Sequence, residues 1–174
     1  MNRLQKLQAF LANPNHQIGK VVDFNVATNS LFPFNFTASN TDLTPEILAD
    51  TDLFSRWVDA QLIEHGATYG IGGYNEHRTI YSRSEHFDTS TEPRRLHLGV
   101  DIWGPAGTPI YNFYEAKVHS FKFNDNFGDY GATIILQYQL ADFTLFGLYG
   151  HLNLASLQDL NVGQIIAAGK QFAS

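Results

Sequence analysis

Three short apolar-rich runs, 115–123, 131–139 and 142–150, set between turn signals, have lengths typical of strands. The segment Gly128-Asp129-Tyr130-Gly131 separates the first two with turn residues. Two further candidate strands lie at 78–82 and 97–103. The chain carries 14 Phe, 8 Tyr and 2 Trp, many within these runs, and aromatics packed at period two favour sheet over helical bundle. The pattern predicts an α+β protein whose second half is a mostly antiparallel β domain.

The first part of the chain reads differently. Leu4, Leu7, Phe10 and Leu11 recur at helical spacing, and Asn13-Pro14-Asn15 ends that helix. Segments 21–26 and 31–37 read as extended. Thr44-Pro45 is a helix start, Thr as cap and Pro at the first helical position. A longer helix is predicted from Asp52 to His65, with Phe54, Trp57, Val58 and Leu62 as its buried stripe and Gly66 as its stop. Residues 1–70 thus form a helical and extended N-terminal annex. Residues 71–174, entered through Gly70, Gly72 and Gly73, form the β domain.

Composition narrows the chemistry. The net charge of −6 and the absence of a basic stripe argue against nucleic acid as a partner. With no cysteine, disulfides, zinc ribbons and thiol nucleophiles are excluded, and any metal must use His, Asp or Glu. No run approaches the ~18 apolar residues of a membrane span, so a membrane is not expected as partner. The N-terminus lacks the pattern of a signal peptide, which puts the chain in the cytoplasm as written, or in the periplasm or outside the cell if that terminus is incomplete.

The stretch from Arg94 to Pro109 carries the chemistry. His97 and Asp101 are four residues apart and are both good zinc ligands. On a straight strand they would share a face but stand ~13 Å apart, so the chain must bend between them, and Gly99 permits that bend. A second element is Tyr149-Gly150-His151-Leu152, which puts an imidazole at the end of a strand that begins in apolar residues.

Taken in order, H-x-G-x-D, Gly-Thr-Pro-Ile, Asp-Tyr-Gly-Ala-Thr-Ile-Ile-Leu, Tyr-Gly-His-Leu and Val-Gly-Gln-Ile-Ile-Ala-Ala-Gly resemble the lysostaphin/LytM-type zinc endopeptidases over residues 94–174. The resemblance implies a small antiparallel fold of the duplicated-hybrid-motif type. It implies one Zn²⁺ held by His97, Asp101 and the second His of a later H-x-H motif, with water in the fourth position. His151 matches the non-ligand catalytic His. The implied substrate is a peptide, usually a peptidoglycan cross-bridge or stem peptide.

The sequence departs from that pattern at its end. The segment Gly163 to Ser174 leads toward the H-x-H strand, and the chain stops before it, so the β domain is expected to be incomplete at its C-terminus. A catalytic zinc needs three protein ligands plus an open position. Asn75, Glu76 and His77 are the candidates within this chain for a substitute ligand, or in the case of Asn75 for a latch over the metal. A second copy meeting an unpaired sheet edge is the other source of a ligand. His16, His65, His86 and His119 are read as ordinary packed or surface residues. The alternative function is a degenerate, non-catalytic member that binds a peptide, a glycan or a protein partner.

Overall fold

The computed structural model describes residues 1–78, 95–126 and 128–174. The expected strand at 78–82 (beyond Arg78), His86 and Arg94 lie outside the described residues. In chain order the elements are α1 (Arg3–Ala12), β1 (Leu31–Phe34), α2 (Pro45–Ala49), α3 (Thr51–Glu64), β2 (Tyr69–Gly72), β3 (Glu76–His77), β4 (Leu96–His97), β5 (Asp101–Trp103), β6 (Ile110–Tyr111), β7 (Ala116–Asn124), β8 (Gly131–Leu140), β9 (Phe143–Leu152), β10 (Ile165–Ile166) and β11 (Gln171–Ala173). Helix and strand are mixed, and among the described residues all strand pairs but β1–β2 are antiparallel. No helix among the described residues is long and apolar enough to cross a membrane. The chain divides into two compact units, Met1–Phe24 with Ala106–Ser174, and Asn25–Pro105.

The first unit is built on a four-stranded sheet in the order β10-β7-β8-β9, beside the two-stranded pair β11-β6. The three apolar-rich runs become β7, β8 and β9, each within one or two residues of the predicted bounds. On β8 the residues Ile134, Leu136, Tyr138 and Leu140 all face the core and are fully buried, as period-two alternation requires. Of the stripe on α1, Phe10 alone is buried in that core, while Leu4 and Leu11 are exposed. The helix starts on a capping box: Asn2 Oδ1 accepts from the Gln5 N–H, and the Gln5 side chain accepts from the Asn2 N–H. Segment 21–26 forms no strand, and its ladder-like bond is the Tyr111 N–H to the Val21 carbonyl at 2.8 Å.

A polar chain crosses this core. The Tyr138 hydroxyl donates to Asn112 Oδ1 at 2.9 Å and lies 2.6 Å from the Tyr149 hydroxyl. Asn112 Nδ2 donates to the Ile166 carbonyl at 2.6 Å, tying the β10 segment to the sheet. Burial raises both phenols above the ordinary tyrosine range, so they stay neutral donors. Asn112→Ala is expected to cost about 1–3 kcal/mol for each buried group left without a partner. Equilibrium denaturation followed by tyrosine absorbance checks this, and a loss well under ~1 kcal/mol would show that the network is dispensable.

In the second unit β1 and β2 pair in parallel and β5 joins β2 antiparallel. Thr44 caps α2, with Pro45 at its first position, and α3 spans the helix predicted from Asp52 to His65 almost residue for residue. Phe54, Val58 and Leu62 of its stripe are buried, with Trp57 partly so. Gly66 stops it in the left-handed conformation. These side chains close over Phe34, Phe36 and Leu43, with Trp103 of β5 packed against the same cluster. Gly70 makes that packing fit, because a Cβ there would come within 2.0 Å of the Phe34 ring.

Candidate functional site

Tyr74 and Asn75 form the turn that leads into β3. Asn75 takes a left-handed φ of 60°, which asparagine tolerates well, and its N–H donates to the His97 carbonyl at 2.7 Å. Pairing of β3 with β4 sets Glu76 directly opposite His97 and His77 opposite Leu96. Opposed residues of an antiparallel pair share a face, so Glu76 and His97 point the same way. Arg78 follows Glu76 by two residues and shares that direction in extended chain.

The strand expected over 97–103 is interrupted. β4 ends at His97, β5 begins at Asp101, and Leu98-Gly99-Val100 forms a bend between them. The bend brings His97 Nε2 to 3.4 Å from Asp101 Oδ1, against the ~13 Å of a straight strand. Gly99 also leaves room for the imidazole, since a Cβ there would meet His97 Nε2 at 3.1 Å and Cε1 at 3.3 Å.

Arg78 binds the acids of this cluster. Its Nε donates to Glu76 Oε2 at 2.8 Å and its Nη1 donates to Asp101 Oδ2. The guanidinium lies 5.0 Å from the Phe36 ring centroid. The second Glu76 oxygen accepts the Phe36 N–H at 3.0 Å. Gly72, the register partner of Asp101, holds space open: a Cβ there would sit 2.7 Å from Arg78 Nη2 and 3.3 Å from Asp101 Oδ2. Asp101 therefore divides its oxygens, Oδ2 to the guanidinium and Oδ1 toward the imidazole. The side chains of Arg78, Glu76 and His97 are largely buried, and that of Asp101 is 28% exposed. Sequence reading did not single out Arg78. Its partner Asp101 lies 23 positions further along the chain, so no local spacing announces the pair.

Burial holds the His97 pKa below the ordinary imidazole range. Asp101 opposes that shift, Arg78 adds to it and Glu76 opposes it. A base whose folded pKa is depressed binds fewer protons folded than unfolded. Stability of this unit therefore rises with pH between the lowered folded value and about 6.5, is fully present above that, and is lost as pH falls through the window. His97→Gln is expected to flatten that part of the stability profile. A parent-like slope in the variant would assign the pH dependence elsewhere.

His151 belongs to the first unit. It is exposed near the end of β9 and has a φ of +56°, where the β8–β9 register shifts between Ala132 and Ile134. Its N–H donates to the Tyr130 carbonyl at 2.7 Å, and the two rings stand 6.1 Å apart. A β-bulge re-aims a side chain, and a non-glycine residue in the left-handed region is a place where structure holds strain. The remaining described histidines have local roles. His16 stacks on Phe10, His65 caps α3 and stacks on Phe32, and His119 lies on the exposed side of β7 edge-on to Phe146.

The donor set can be tested against a metal. His97 Nε2 and Asp101 Oδ1 are nitrogen and oxygen donors of the kind zinc takes, converging on one point. Among the described residues no group of three His, Cys, Asp or Glu side chains is arranged to hold a metal ion. The residues therefore fit two of the three protein positions of a catalytic zinc, with Glu76 adjacent but engaged by Arg78. Comparison with protein-family models, curated proteins and solved structures returns no match.

Proposed function

We propose that this chain is a zinc-dependent endopeptidase-type domain of the lysostaphin/LytM kind, with a duplicated-hybrid-motif fold, acting on peptide bonds of peptidoglycan cross-bridges or stem peptides. The observation that carries the reading is the 3.4 Å approach of His97 Nε2 to Asp101 Oδ1 across the bend at Leu98-Gly99-Val100. His97 and Asp101 would hold the metal, and burial favours the neutral imidazole that a ligand must be. When bound, Zn²⁺ lowers the pKa of its water toward ~7 and makes hydroxide available near neutrality. His151 enters through the order of motifs, as the ring that takes a proton or steadies the developing oxyanion.

A second reading has its own support. Arg78 on Asp101, together with the two-donor count, favours a non-catalytic relative that binds a peptide, glycan or protein partner. As part of the first reading, a second copy would meet the chain along the outer edge of β9, the last strand of its sheet among the described residues.

Metal content decides between the readings. The purified chain should retain zinc that His97→Ala loses, and should cleave oligoglycine or peptidoglycan stem peptides in a chelator-sensitive way. Saturable peptide binding without turnover, and with the same metal content in both proteins, would favour the binder and sink the endopeptidase.

A further inference from the structure

A catalytic cation and Arg78 want the same oxygens. The guanidinium bridges Glu76 Oε2 and Asp101 Oδ2, the Phe36 ring lies against it, and Gly72 leaves the space it fills. The arginine is itself nearly buried, at 4% exposure, so its charge is weakly screened. His97 Nε2 stands 3.4 Å from Asp101 Oδ1, and Glu76, opposite His97 in the ladder, shares the guanidinium with Asp101, so the charge of Arg78 stands between donors that, among the described residues, are not yet arranged as a set of three.

Resting on the zinc reading above, we propose that Arg78 is a resident counter-cation that a divalent metal must displace, and that Glu76, once released from it, completes the ligand set with His97 and Asp101. Zinc affinity is then set by competition between the guanidinium and the metal for the two carboxylates. This arrangement supplies a third ligand from within the chain, by an exchange of ionic partners and with no bond made or broken covalently.

The experiment uses the full chain and Zn²⁺ alone, titrated in competition with a chromophoric chelator, with the metal-induced rise in Tm as a second readout. Arg78→Gln removes the charge and keeps most of the length. It should bind Zn²⁺ at least about tenfold more tightly than the parent, the scale on which groups around the ligands tune metal affinity. It should also gain more in Tm on adding zinc. In the Arg78→Gln background, either Asp101→Asn or Glu76→Gln should abolish the gain.

Equal or weaker binding by Arg78→Gln would overturn the proposal, and the zinc reading would survive if parent binding still required His97. Tight binding by Arg78→Gln with none by the parent would support the proposal while sinking an active parent enzyme. Binding by neither, above the His97→Ala background, would overturn both. If Glu76→Gln left the Arg78→Gln gain intact, the third-ligand role would fall. Should Arg78→Gln fail to fold, Arg78→Lys keeps the charge but loses the rigid planar fork that spans the two carboxylates. It should bind zinc several-fold more tightly than the parent, and no gain there would also overturn the proposal.

Discussion

Phe36→Ala is expected to destabilise the second unit by about 3–5 kcal/mol, the range for deleting a buried aromatic ring. Phe36 is 1% exposed, and its ring stands 5.2 Å from Phe34, 5.8 Å from Phe54 and 5.4 Å from Trp103, centroid to centroid. A cavity there borders residues that are aromatic and rigid, so little collapse can refill it. The same ring lies against the Arg78 guanidinium, and the Phe36 N–H holds Glu76. The same substitution should therefore loosen the ion-paired cluster. Phe36→Leu separates the two effects, because it keeps much of the volume at a cost of under about 1.5 kcal/mol and loses the ring face beneath the cation. Both tryptophans, Trp57 and Trp103, lie within Asn25–Pro105, so their fluorescence during denaturation reports this unit alone. A Phe36→Ala midpoint close to that of the parent would refute the assignment of Phe36 as the centre of this core.

Replacing His151 should split stability from activity. Alanine in the left-handed conformation costs about 1–2 kcal/mol that glycine does not incur, while glycine loses up to about 1 kcal/mol through its unfolded-state freedom. His151→Gly is therefore expected to be the more stable of the two variants, by about 1 kcal/mol or less, if the φ of +56° is kept. On the proposed reading both should lose about 10²–10⁴-fold in kcat, since both lack the imidazole, while zinc content stays at the parent level. Zinc loss in either variant would move His151 into the ligand set. Unchanged kcat would remove it from the mechanism.

Much of the secondary structure was legible because it follows from local chemistry. Thr44-Pro45 and Gly66 bracket the helical region as caps and stop signals do, and the alternation through Ile134, Leu136, Tyr138 and Leu140 fixes β8 and its buried face. The short strands β2, β6, β10 and β11 were missed. They are two to four residues long, and Tyr69-Gly-Ile-Gly72 is glycine-rich because neighbouring side chains cross its backbone, so it carries no period to read. On α1 the apolar stripe overstated burial, since Leu4 and Leu11 are apolar residues left exposed.

At the candidate site, the approach of His97 to Asp101 was expected from Gly99 and from the need of two donors to meet. The ionic partner of Asp101 was not. Arg78 lies 23 positions earlier, and a cross-strand salt bridge leaves no local pattern in a single sequence. Asn75, Glu76 and His77 were grouped as one candidate. The structure separates them: Asn75 shapes the turn, Glu76 joins the charge cluster, and His77 is exposed on the far side of the strand.

The interleaving of the first unit has a consequence for biosynthesis. The second unit is one contiguous stretch and can fold as soon as it leaves the ribosome. Helix α1 is made first, yet Phe10 packs in a core with Val118 and Ile134, which are translated more than a hundred residues later. Until then its apolar side is a waiting half-surface, open to chaperones and to other nascent chains, and an early folding insert shortens the effective loop that must close before it is covered.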